Sequence, residues 1–129
     1  MVAVALATPP PPPVAALVVL DDRARLRLES SRQTFRVGAR GTVTLDVEVV
    51  NHGEDPHDVT LRRVGSLRPL ATSGVLQPSE PTARPGTMQQ RLRVGRYVLY
   101  CSVGAGTSRS HEARGMVQRI TVVRRLRGR

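Results

Sequence analysis

Three histidines, one cysteine and ten carboxylates are the side chains of this 129-residue chain best suited to chemistry at neutral pH. The serines are scattered through loop-like segments without a neighbouring base. No glycine-rich loop joins a strand pattern to a helix pattern, so nucleotide chemistry has no support. Metal chemistry has more. Cys101 closes one alternating segment, His111 lies in the loop that follows, and Met116 opens the next segment. His57 stands at the start of another strand, just after its own loop. If the two loops share one end of a sheet, all four side chains converge. One thiolate, two imidazoles and a thioether match the trigonal His-His-Cys set with a weak axial Met that suits an electron-transfer copper site. Zinc prefers more thiolates or carboxylates. The thiol must lose its proton to bind, so metal uptake releases that proton.

The elements that must position these groups read as short strands. In Thr42 to Val50 (TVTLDVEVV), Val43, Leu45, Val47 and Val49 share one face and Thr44, Asp46 and Glu48 the other. Ala24, Leu26 and Leu28 alternate with arginines, and Thr34 to Val37 suits a short edge strand. Asn51 to Pro56 (NHGEDP) is a loop by composition, and HDVTLRRV continues as a strand. Residues 65 to 86 lack periodicity and read as a long loop. Alternation returns from Thr87 and again in RYVLYC, with Tyr97, Leu99 and Cys101 on one face; MVQRITVV is the last strand. No window supports a long amphipathic helix. Roughly seven short strands with frequent turn signals predict an all-β, antiparallel sandwich or barrel. One tyrosine pair and one phenylalanine leave its core aliphatic.

The length suits one domain. Residues 1–20 read as an apolar and polyproline leader, an atypical export signal without a basic start. Residues 21–124 read as the domain and 125–129 as a basic tail. The net charge of +10 comes entirely from arginine, since the chain has no lysine. Most arginines sit singly between apolar residues, which argues against a nucleic-acid surface and leaves a basic face suited to an acidic protein or an anionic membrane surface. With one cysteine, no intramolecular disulfide forms.

Two segments, NHGEDPHDV (51–59) and YVLYCSVGAGTSRSHEARGMVQRITV (97–122), resemble the cupredoxin family of blue copper proteins. The resemblance covers most of residues 20 to 124. It places His57 after an N-x-G-x-x-P-like loop, Cys101 after Tyr100, and His111 and Met116 in H-E-A-R-G-M. It implies an all-β, antiparallel Greek-key sandwich of the cupredoxin kind holding one copper ion, cycling between Cu(I) and Cu(II), on His57, Cys101, His111 and Met116. It further implies a monomeric, non-enzymatic one-electron carrier outside the cytoplasm, in the periplasm or secreted, serving a redox partner protein. Copper carriage and a metal-free interaction module are the alternatives. Asn51 and Asp58 flank the first histidine and are expected to hydrogen-bond across to the cysteine loop. His52 has no ligand spacing, and Met88 reads as packing. The chain departs from the family pattern in placing nine residues between Cys101 and His111. The extra stretch, Ala105 to Ser110, is expected to alter geometry and solvent access.

Overall fold

The structure, a computed structural model, describes residues 14–21, 26–78 and 86–124. Among these, nine strands form: β1 (Val14–Asp21), β2 (Arg27–Ser30), β3 (Thr34–Arg36), β4 (Thr42–Asn51), β5 (Thr60–Arg63), β6 (Pro69–Thr72), β7 (Gly86–Arg93), β8 (Gly95–Tyr100) and β9 (Val117–Val123). They make two sheets, one ordered β2-β1-β4-β7 and the other β3-β9-β8-β5-β6. The alternation in β4 becomes burial: Val43, Leu45, Val47 and Val49 are all within the core. They pack with Leu61, Tyr97, Leu99, Ile120 and Val122 of the other sheet in one aliphatic cluster. This is the all-β sandwich that the alternation predicts.

Several features differ from the sequence reading. Nine strands form rather than seven. The sheets are mixed, since β1 runs parallel to β4 and β3 parallel to β9. Parallel neighbours are joined only by crossovers, and a crossover leaves no hairpin turn signal in the sequence. The apolar stretch from Val14, read as leader, is β1, placed between β2 and β4. Val14 to Leu20 is apolar at every position, so the segment lacks the alternation that marks β4 as half-solvated. Residues 1–13, the basic tail at 125–129, and Ala24 lie outside the described residues. β6 forms within the stretch read as a loop, as an exposed edge whose register against β5 shifts between Leu61 and Arg62.

At one end of the sandwich, β8 runs out at Tyr100 and β9 begins at Val117. The residues before β5 reach the same end, because β5 lies beside β8 with Thr60 opposite Tyr100.

Candidate metal centre

His57 sits three residues before β5. Its backbone N–H donates to the Leu76 carbonyl (3.1 Å), and its carbonyl accepts from the Leu76 N–H (2.7 Å). This two-residue bridge holds an otherwise irregular segment, and the imidazole is fully buried. Cys101 directly follows β8, on the inward face set by Tyr97 and Leu99, and is also fully buried. His111 arrives from the loop between β8 and β9 and is half-buried.

These three side chains meet. The Nδ1 atoms of His57 and His111 are 3.1 Å apart. Cys101 Sγ is 4.0 Å from the first and 3.5 Å from the second. Among the described residues they form the one group of His, Cys, Asp and Glu close enough to share a metal ion. The spacing can be tested against a small cation. A point in the plane of the three atoms, about 2.0 Å from each nitrogen, lies about 2.2 Å from the sulfur, close to usual metal–imidazole and metal–thiolate lengths. The triangle is the size such an ion requires.

Met116 is fully buried immediately before β9. Its backbone N–H donates to the His111 carbonyl (3.0 Å), and its carbonyl accepts from the Cys101 N–H (3.1 Å). The residue is therefore tied through the main chain to two members of the triangle.

The sulfur has a specific surrounding. The Asp58 backbone N–H points at Sγ from 3.4 Å, and the Val103 N–H also donates to it. Burial nonetheless dominates and pushes the Cys101 thiol up to about 11; the two amides oppose this, and the Asp58 carboxylate adds to it. Without a cation the sulfur keeps its proton at neutral pH, and a cation at the triangle supplies the missing counter-charge.

Asp58 reaches across to the cysteine loop. Its Oδ1 accepts from the Ser102 N–H (2.6 Å), and its Oδ2 accepts from the Ser102 hydroxyl. Asn51 does not reach that loop. Its amide donates to the carbonyls of Asp55 (2.9 Å) and Leu76 (3.1 Å), while its Oδ1 accepts from the Gly53 N–H (2.8 Å). A short side chain at the end of β4 finds its own turn and the Leu76 segment first. His52 is exposed and apart from the triangle, and Met88 is core.

The inserted stretch is closed off from the donors. The His111 N–H donates to the Val103 carbonyl (3.1 Å), making a neck. Beyond it, successive turns link Ala105 to Ser102, Thr107 to Gly104 and Ser110 to Thr107. Ala105 to Arg109 are exposed. The extra residues thus form a side excursion, and His111 is placed by the neck rather than by the excursion.

Two contributors gave no sequence signal. Leu76 lies in the stretch without periodicity, and its role is a backbone one. Arg62 pairs with Glu112, next to His111, and lays its guanidinium 4.2 Å over the Tyr100 ring. Both partners come from distant parts of the chain.

The fold is that of solved cupredoxins. Rusticyanin from Thiobacillus ferrooxidans superposes with a TM-score of 0.62 at 16% identity, over 85% of this chain and 77% of that chain. Auracyanin B gives 0.57 at 17% identity, over 87% and 91%. A multicopper oxidase from Campylobacter jejuni gives 0.52 at 11% identity, over 94% of this chain but 32% of the oxidase. Rusticyanin and auracyanin are cupredoxins, so this chain has the cupredoxin-like fold. No protein-family model and no curated sequence matches the chain.

Proposed function

We propose that this chain is a mononuclear type 1 copper protein that carries single electrons. His57 and His111 would bind through Nδ1 and Cys101 through Sγ, and Met116 would add a weak thioether donor. The observation that carries this reading is the Nδ1–Nδ1–Sγ triangle, whose edges suit one small cation and whose donors suit copper in both oxidation states. When bound, copper supplies a one-electron couple. The chain's own residues do the rest. The buried His57 and Cys101 exclude water from the donors, and the Asp58 and Val103 amides stabilise charge on the sulfur. Asp58 clasps Ser102 and so keeps the cysteine loop against the first histidine. His111 is the one donor residue of the triangle that is partly exposed, so an electron enters or leaves most directly along its ring.

A catalytic oxidase needs additional histidine-rich sites, and three histidines in the chain do not supply them. The carrier reading is therefore preferred to an enzymatic one. The family resemblance supports a location outside the cytoplasm, to be checked by cell fractionation. The central test is Cu(II) titration followed by absorption, beside Cys101→Ser. An intense thiolate-to-copper band in the wild type, absent in the variant, supports the site. A colourless protein that binds no copper rejects it. Binding of Cu(I) alone turns the reading toward copper carriage.

A further inference from the structure

The two sheets differ in charge. The four-stranded sheet carries Asp21, Glu29, Asp46 and Glu48 beside Arg27, Arg91 and Arg93. The five-stranded sheet carries Arg36, Arg62, Arg63, Arg96 and Arg119 and no aspartate or glutamate. Register puts most of these cations on one side. Leu61, Tyr97, Leu99, Ile120 and Val122 face the core, so Arg62, Arg96, Val98, Tyr100 and Arg119 face outward. Val98 lies between Arg62 of β5 and Arg119 of β9 in direct register. Neighbouring strands are about 4.8 Å apart, so the two arginines flank it at roughly twice that spacing. Arg96 is two residues along β8.

Two details make this face more than a solvated surface. Val98 and Tyr100 point outward yet are only 5% and 7% exposed, with Arg62 lying over Tyr100. Arginine stems cover apolar surface while their guanidinium heads stay at the edge. The Glu112 carboxylate already sits on Arg62, showing how a carboxylate is received beside Tyr100. Arg96 and Arg119 are exposed, and neither forms an ion pair among the described residues.

We propose that the outer face of the five-stranded sheet, with Arg62, Arg96 and Arg119 around Val98 and Tyr100, docks an acidic protein partner through its carboxylates. The proposal rests on the electron-carrier reading for its purpose, since docking here brings a partner beside Tyr100, the covalent neighbour of Cys101. Its chemistry is independent of the metal. Planar guanidinium groups take carboxylates in a bidentate fork, and a field of one sign steers an oppositely charged face.

The test uses the full, metal-free chain and poly-L-glutamate at low salt. Binding is measured by calorimetry, and the contact face is mapped by amide NMR shifts. Two triple variants lose the same net charge: Arg62→Gln/Arg96→Gln/Arg119→Gln on this face, and Arg27→Gln/Arg91→Gln/Arg93→Gln on the other sheet. The first should weaken binding about tenfold or more and the second about twofold or less. Wild-type shifts should centre on β8 and β9. Should the first triple disturb the fold, Arg96→Glu/Arg119→Glu asks the same question at two exposed positions. Equal losses in both triples, or no binding, would overturn the proposal by reducing it to net charge. A DNA duplex or phosphatidylglycerol vesicles depending more strongly than polyglutamate on the same three arginines would overturn the choice of partner. Face-specific polyglutamate binding by a protein that takes up no copper would keep the docking face and reject only the redox reading.

Discussion

Residues 51–58 and residues 102–115 each deliver one histidine to the same triangle, but they are held in different ways. The first loop is fastened from outside. Asn51 and His57 both bond to Leu76, and the His52 N–H donates to the Leu20 carbonyl of β1. The second is fastened mainly to itself, by successive turns and by the Val103–His111 neck. Its side-chain ties outward are Ser102 to Asp58 and Glu112 to Arg62. Accordingly His57 is sealed and His111 is partly open. One loop sets a fixed half of the site, and the other can lengthen without moving its donor.

The sharpest way to break this comparison is to remove each ring. His57→Gly and His111→Gly should both abolish the blue absorption. Added imidazole should restore it in His111→Gly, whose position is open to solvent, and not in the buried His57→Gly. Absorption titration of both variants distinguishes them; equal rescue would mean that the first loop is no more sealed than the second. Next in size are the fastenings. Asn51→Ala strips two buried-side carbonyls and one N–H of their partner and should cost about 2–3 kcal/mol in urea unfolding of the metal-free protein. Ser110→Ala removes one exposed bond to the Ala113 N–H and should cost less than about 0.5 kcal/mol.

Cys101 stands between the loops and takes an amide from each, so its titration reads both at once. Its ordinary value is 9.0, and in the fold it lies at about 11. Below pH 9 both the folded and the unfolded chain keep the proton, and the stabilising difference is fully present. As pH rises the unfolded chain loses its proton first, so the metal-free protein should lose up to about 2 kcal/mol between pH 9 and 11. Urea unfolding across that range should show this loss in the wild type and not in Cys101→Ala. A further modest effect belongs to the tip of the excursion. Gly106 has φ +79° with open space where a Cβ would stand, so Gly106→Ala costs only backbone strain, about 1 kcal/mol, with the blue band unchanged. Gly104→Ala, nearer the neck, would set a Cβ 2.8 Å from the Arg109 carbonyl oxygen and should cost more.

Much of this was legible in the residues. The alternation of Thr42 to Val50 gave both a strand and the face it buries, because one side of β4 is core. The positions of Cys101, His111 and Met116 around the β8–β9 connection follow from strand ends, which turn residues mark. β1 was hidden because Val14 to Leu20 is apolar at every position, so no alternation marks the face it buries. β6 was hidden because it is short and exposed on both sides of its register shift. The partner of Asn51 could not be inferred, since Leu76 is 25 residues away and offers only its backbone. The charge difference between the sheets was invisible for the same kind of reason. Single arginines spread along the sequence become one face only once β5, β8 and β9 are aligned.

The distances along the chain within the triangle have a consequence for when the site can exist. His57 is 44 residues from Cys101 and 54 from His111. The donors come together only after β5 has paired with β8 and β8 with β9. Such long-range strand pairing is slow compared with local ordering. An unfolded chain therefore presents no preformed grip on a soft metal ion, and a chain moved in that state from one place to another would travel without one. If the site takes copper, loading would be the last event in maturation, on a finished sandwich whose one partly open donor is His111.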